Sequence, residues 1–259
     1  MKLVRGMGLV NEVSIPCRFR RRFGVPEGGP IDLFAFQIAT EILGQTNAWE
    51  LLGASATFEA ESDCLLAFVG ANCKMEIDGE VLRGSRVSTV RAGQHVRLGA
   101  NCGYVSQSVG IDGPIDLKID EGWIAPSDPI RAIAGQFDLP TSPLTIHHAS
   151  NRLGFRLDGW PAFDLPERTS EPCCVGAIQS TPSGQLIVIG PDGPTIGGYP
   201  VIGFVTQSHL GRLARRPIGA QIQLEWVSPE QAQANLDQAQ RMCRELINLV
   251  QIAIRAAMG

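Results

Sequence analysis

The sequence predicts a mainly β protein with a few helices and one long C-terminal helix, and three observations carry that expectation. Between residues 56 and 109, short apolar runs alternate with turn signals at Asp78-Gly79, Ala92-Gly93 and Asn101-Cys102-Gly103. Glycine (29) and proline (17) are plentiful while aromatics make up only 6% of the chain, a mixture that suits many strands joined by turns. From Ser228 onward the period changes. Ser228-Pro229-Glu230-Gln231 is a capping-box signature with proline at the first helical position, and an apolar stripe follows it.

Taken in order, residues 9–17 alternate loosely and read as a strand. Arg18-Phe19-Arg20-Arg21-Arg22 reads as a solvated basic edge. A Gly/Pro-rich loop follows, from Gly24 to Pro30, and leads into a helix. Asp32 can cap that helix by accepting a backbone N–H. Leu33, Phe36, Ala39, Ile42 and Leu43 share one face, and Gly44 can end it. A helix start preceded by Gly28-Gly29 also suits an anion, but the lysine and spacing of a P-loop are missing, so a plain capped helix stands beside that reading. Strands are expected at 57–61, 64–69, 73–77, 86–90, 94–98 and 104–109. Residues 112–140 form a pattern-poor connection with one strand at 129–134. A second β-rich half follows, with strands at 144–148, 175–179, 186–189, 201–206 and 221–227. His147 and His148 are adjacent, so on a strand they point to opposite faces and do not share a metal. Residues 208–216 form a short helix with Leu210 and Leu213 inward. The final helix places Leu236, Ala239, Cys243, Leu246, Ile247, Val250 and Ile254 on one stripe, and its last turns are apolar almost all round. That surface suits packing on the β halves or contact with a helical partner. The expected division is 1–140, 141–228 and 229–259.

The chain has 259 residues, enough for one large domain or two of ordinary size. A net charge of −4 without basic blocks argues against binding nucleic acid or an anionic membrane. Seven cysteines at irregular spacing, with no C-x-x-C, fit a reduced cytoplasmic protein better than a disulfide framework. Adjacent Cys173 and Cys174 do not form a redox pair, because a disulfide between neighbours is strained. No long apolar core follows Lys2 and Arg5, so no signal peptide is expected. No apolar run reaches the roughly 20 residues of a membrane helix.

The stretch richest in candidate chemistry runs from Gly190 to Thr206, between two apolar runs. Glycine and proline shape its backbone, and its polar side chains are Asp192, Thr195 and Tyr199. Two readings stand: a tight connection between core strands, or a ligand loop.

Several motifs occur in a fixed order. They are Gly24-Val25-Pro26-x-Gly28-Gly29-x-x-Asp32, Gly70-Ala71, Asn151-Arg152-Leu153-Gly154-Phe155-Arg156-Leu157-x-Gly159, Gly176-Ala177-Ile178-Gln179 and Gly197-Gly198-Tyr199-Pro200. In this order they resemble the biotin-dependent carboxyltransferase family, which includes the C-type subunit of 5-oxoprolinase, allophanate hydrolase subunit 2, an antagonist of a sporulation kinase inhibitor and the carboxyltransferase region of urea amidolyase. The resemblance covers roughly residues 5–228. It implies cyclophilin-like β-barrel halves. It also implies a partner resembling the B-type subunit of 5-oxoprolinase, which is itself similar to the kinase inhibitor. The family's Asp-x-Gln-Thr before Gly-Gly-Tyr-Pro is here Asp192-Gly193-Pro194-Thr195, without the amide.

Two functions follow from the resemblance. In the first, the chain is a subunit of an ATP-dependent complex that processes a small amide or lactam. Arg152 or Arg156 then holds an anionic group, Gln179 orients an amide, Asp192 is the acid/base candidate, and Thr195, Gly197, Gly198 and Tyr199 line the pocket. ATP comes through the partner, and biotin is a further option. The expected ligand is small and anionic with an amide or ureido group. No cofactor bound by this chain itself and no metal are expected, and a homo-oligomer is compatible with the sequence. In the second, the chain is a non-catalytic regulatory binding protein like the kinase-inhibitor antagonist.

Overall fold

The computed structural model describes residues 1–110, 113–122, 129–135, 143–161 and 169–258. Much of the connection expected at 112–140 therefore lies outside the described residues. The chain divides into two compact units. One comprises residues 1–15, 32–126 and 239–259, and the other residues 16–31 and 127–238.

The first unit holds β1 (Lys2–Ser14), α1 (Leu33–Glu41), β2 (Asn47–Glu59), β3 (Cys64–Ala71), β4 (Lys74–Ile77), β5 (Glu80–Arg83), β6 (Arg86–Val90), β7 (His95–Val109) and β8 (Asp116–Lys118). Its strands form one antiparallel sheet in the order β1-β2-β7-β3-β6-β8, with the β4-β5 hairpin added beside β7. Leu51, Phe58, Leu66, Phe68, Met75, Leu98 and Val105 fill its core. Burial of such side chains contributes roughly 1.5–3 kcal/mol each. Asp32 caps α1 as expected, its carboxylate accepting the Ala35 N–H at 3.2 Å. The Asp32 N–H donates to the Tyr104 hydroxyl (2.8 Å), which donates to Glu50 (2.7 Å), so the cap is tied to the sheet.

Several strand expectations change, among them the strand at 57–61, which is the end of β2 beginning at Asn47. Asn101-Cys102-Gly103 is not a turn but the middle of β7, which runs unbroken from His95 to Val109. Gly103 pairs with Leu51 on one side and Gly70 on the other, and a Cβ on Gly103 would lie 2.8 Å from Ala100 Cβ and 3.0 Å from the Phe68 ring. The glycine serves close packing, not a reversal. The first strand begins at Lys2 and pairs along β2, with register shifts between Leu3 and Arg5 and between Met7 and Leu9.

The second unit holds a 3-10 helix (Arg18–Phe23), then β9 (Ile130–Ala134), β10 (Leu144–Ile146), β11 (Gly154–Asp158), β12 (Glu171–Pro172), β13 (Ala177–Ser180), β14 (Leu186–Ile189), β15 (Ile196–Gly197), β16 (Val201–Val205), α2 (Gln207–Ala214), β17 (Gln221–Ile222) and β18 (Leu224–Val227). Its main sheet runs β17-β10-β11-β14-β13-β16-β9-β18, and β12 pairs with β15 apart from it. Pairing is antiparallel except between β9 and β18. The basic cluster is a helical turn, and Arg18, Arg20 and Arg22 are exposed, as expected of a solvated edge. His147 and His148 lie beyond the end of β10, so strand alternation does not separate them. Their rings stand 4.0 Å apart, tilted by 38°.

The last element, α3 (Pro229–Met258), spans 30 residues, or about 45 Å. Its capping box forms as expected: Gln231 N–H donates to Ser228 Oγ at 3.2 Å, and Ser228 N–H donates to Gln231 Oε1 at 2.9 Å. Cys243, Ile247, Val250 and Ile254 are buried, while Leu249 and Ile252 stay 65% and 61% exposed. The mainly β expectation, with few helices and a long terminal one, is borne out.

Candidate functional site

All the sequence-predicted site residues lie in the second unit. β14 delivers the chain to Gly190, and backbone bonds then sew the loop to the start of β11. Gly190 N–H donates to the Leu153 carbonyl at 3.0 Å, and Asp192 N–H to the Arg152 carbonyl at 3.2 Å. A Cβ on Gly190 would overlap the Arg152 carbonyl, so only glycine permits this approach. Proximity of the backbones lets the side chains meet. Arg152 donates from Nε to Asp192 Oδ2 at 2.6 Å and from Nη2 to Oδ1 at 2.8 Å, a two-pronged charge-assisted contact. The same Nη2 donates to the Gly29 carbonyl at 2.8 Å, and Gly28 N–H donates to the Pro191 carbonyl at 3.0 Å. Both Gly/Pro-rich loops of the sequence therefore meet at Arg152. The Arg152 side chain is buried, whereas that of Asp192 remains 40% exposed. The fork expected to grip a ligand carboxylate instead orients Asp192.

A second group of residues gathers around β13. Gln179 is buried, and its Nε2 faces Cys173 Sγ at 3.6 Å. A Cβ on Gly197 would lie 2.5 Å from that nitrogen, so the glycine makes room for the amide. Cys173 N–H donates to the Thr195 carbonyl at 2.8 Å, and the β12-β15 pairing sets Glu171 opposite Gly197. Tyr199 is exposed. The Gly190–Thr206 stretch is thus both a connection and a surface that holds polar groups in place.

Arg156 does not join Asp192. Its Nη1 donates to Gln185 Oε1 at 2.9 Å, and Gln185 Nε2 donates to Asp158 at 2.8 Å.

Three neighbours were not placed with the site residues from the sequence: Arg21, Glu27 and Cys173. Arg18 and Arg21 share a face of the 3-10 helix, because three residues complete one turn of it. Both reach Glu27, at 3.5 Å and 3.4 Å. Cys17 N–H donates to the Glu27 carbonyl at 2.9 Å and closes the loop. An arginine pair at i and i+3 ahead of a glutamate was the available signal. Burial pushes both the Cys173 and Cys174 thiols up, and Arg21 pulls in the opposite direction on each. All seven cysteines are free. Among the described residues, no group of three His, Cys, Asp or Glu side chains could hold a metal ion. No described helix is long and apolar enough to cross a membrane.

The glycine-rich loops of a β scaffold thus fix a carboxylate, a guanidinium and a buried amide. The family described as Carboxyltransferase domain, subdomain A and B, matches residues 23–119 and 131–226, and the chain belongs to it. It is 26% identical to the C-type subunit of 5-oxoprolinase from Escherichia coli over 87% of this chain and 91% of that protein. It is 27% identical to the C-type subunit of 5-oxoprolinase from Haemophilus influenzae over 87% of this chain and 93% of that protein. Its fold resembles that of K. lactis urea amidolyase, with a TM-score of 0.76 and 17% identity, across 95% of this chain and 20% of that much longer one.

Proposed function

We propose that the chain is a subunit of an ATP-dependent complex that processes a small amide or lactam, in the manner of the C-type subunit of 5-oxoprolinase, and that it supplies part of the small-molecule pocket. The partner resembles the B-type, kinase-inhibitor-like subunit of 5-oxoprolinase and handles ATP. Biotin takes part only if the complex transfers a carboxyl group. The ligand is small and anionic, with an amide or ureido group.

The observation that carries this reading is the half-exposed Asp192 carboxylate, held by two bonds from buried Arg152 between two glycine-shaped loops. A carboxylate fixed in this way can accept a hydrogen bond from a bound amide N–H without first reorganising. Arg152 acts as the positioning residue for Asp192. Gln179 presents its amide beside Gly197, while Thr195, Gly198 and Tyr199 border the ligand. Arg156 serves this pocket from its bond to Gln185, by holding the end of β11. The similarity to the two 5-oxoprolinase relatives over nine-tenths of their length supports the substrate class.

The test is co-expression with the partner, followed by calorimetry with 5-oxoproline, urea and biotin on the chain alone and on the complex. A co-purifying pair that binds 5-oxoproline, and loses affinity in Asp192→Asn, supports the reading. Failure to associate, with no binding of any of the three, contradicts it.

A further inference from the structure

The first unit holds a cavity of about 410 Å³, and the strand register explains its lining. Side chains two apart on a strand share a face. That face runs from Val10 to Glu12 on β1, from Trp49 to Asn47 on β2 and from Val105 to Gln107 on β7. Glu12 pairs with Trp49, and Trp49 with Val105, so the three strands stand level. Val10, Trp49 and Val105 pack in the apolar core, and beyond them each strand turns polar at the same end. Glu12, Asn47 and Gln107 line the cavity there, with Trp49 and Val105 as its apolar wall. Trp49 is half-buried, its ring 5.6 Å from that of Phe58 between centroids. Glu12 is exposed and is the one charged side chain in the lining. Its Oε1 accepts a bond from Asn47 Nδ2 at 2.6 Å, and its other oxygen has no partner among the described residues. An amide carries no charge, so the carboxylate is not neutralised. The Met1 ammonium also reaches the cavity, but it donates to Gln107 Oε1 at 2.6 Å and lies 3.4 Å from Glu61.

We propose that this cavity binds a small alkylammonium compound, whose charged nitrogen donates to the uncommitted oxygen of Glu12 while its carbon chain packs on Trp49 and Val105. The site is independent of the proposed function, whose residues lie in the second unit. The volume falls in the range of small-molecule sites. The lining selects the charge of the guest. A carboxylate with an uncommitted oxygen attracts a cation through a charge-assisted bond, repels another carboxylate and gains less from a hydroxyl. The face of an indole attracts the same cation. Each methylene buried on the apolar wall strengthens binding about fourfold. No covalent step is involved.

The readout is an NMR titration of the nitrogen-labelled full chain, followed at the indole N–H signal of Trp49. The chain has four tryptophans, and loss of one signal in Trp49→Phe assigns it. Should that variant fail to fold, through-bond assignment in the unaltered protein replaces it. The probes are hexylammonium, hexanol and hexanoate, equal in length and different in charge, at constant ionic strength, since salt screens charge. Hexylammonium should shift the Trp49 signal saturably, and the other two should not at the same concentrations. Glu12→Gln keeps an acceptor for Asn47 but removes the charge, and it should raise the half-saturating concentration of hexylammonium about tenfold or more. Absence of a saturable shift with hexylammonium overturns the proposal. So does an equal response to hexanol or hexanoate, or an unchanged half-saturating concentration in Glu12→Gln.

Discussion

Breaking the Arg152–Asp192 contact tests whether the two Gly/Pro loops form one mechanical unit. Arg152 is buried, and its guanidinium bonds include 2.6 and 2.8 Å to Asp192 and 2.8 Å to the Gly29 carbonyl. Removing one partner of a fully buried pair costs about 3–5 kcal/mol. Asp192 is 40% exposed, so water replaces part of the lost contact, and Asp192→Leu is expected to cost about 2–3 kcal/mol. Asp192→Asn keeps one acceptor and should cost about 1–2 kcal/mol. Arg152→Met also frees the Gly29 carbonyl, so its loss should match or exceed that of Asp192→Leu. The double variant should then show a coupling energy of about 1–2 kcal/mol. The assay is urea unfolding of the unaltered protein, both single variants and the double. With a slope of roughly 2–3 kcal/mol/M, Asp192→Leu lowers the midpoint by about 1 M. Limited proteolysis should also cut Arg152→Met sooner within residues 24–31, because nothing then holds the Gly29 carbonyl as Arg152 does. Additive losses, with coupling below about 0.5 kcal/mol, would refute the reasoning.

Other perturbations have equally definite outcomes. Burial, with Arg212 and Arg131 adding to it, holds His209 down to about 4, while Glu225 and the Pro129 carbonyl oppose the shift. Its folded value is thus below the unfolded one of about 6.5, so its stability contribution is complete above pH 6.5 and is lost as pH falls toward 4. Urea midpoints at pH 7 and pH 4.5 should differ by roughly 2–3 kcal/mol in stability, and His209→Gln should shrink that difference. Gly190→Ala drives a methyl into the Arg152 carbonyl and should cost about 2–3 kcal/mol. Gly197→Ala meets only the movable end of Gln179, so its melting temperature should fall less while ligand affinity drops; equal melting losses in the two variants would contradict the geometry. Deleting residues 228–259 uncovers the surfaces that bury Cys243, Ile247, Val250 and Ile254 and should cause aggregation, whereas a soluble truncation with unchanged melting would count against that packing.

The caps were the most legible features, because a cap is a local arrangement between a side chain and the next turn. Asp32 and Ser228 with Gln231 show this. The strand at 86–90 was readable too, for its bounds are marked by turn residues on both sides. β1 was half hidden because two register shifts break its alternation. Asn101-Cys102-Gly103 misled because glycine serves close approach as well as reversal. The site was legible as a set of residues but not as pairs. Arg152 and Asp192 are forty positions apart, and only the meeting of two loops commits one to the other. Arg21 was hidden within a run of arginines, and its inward turn depends on a three-residue helical period that the sequence does not announce.

The central claim is that this chain completes an amide-processing complex through Asp192, and turnover of the assembled complex tests it most directly. The chain and its B-type partner, purified together, should hydrolyse ATP only when 5-oxoproline is present, and neither alone should do so. Asp192→Asn in that complex should lower the rate by about a hundredfold or more while the two proteins stay associated. An Asp192→Asn complex that turns over at the unaltered rate, or a partner that works fully without this chain, would contradict the account.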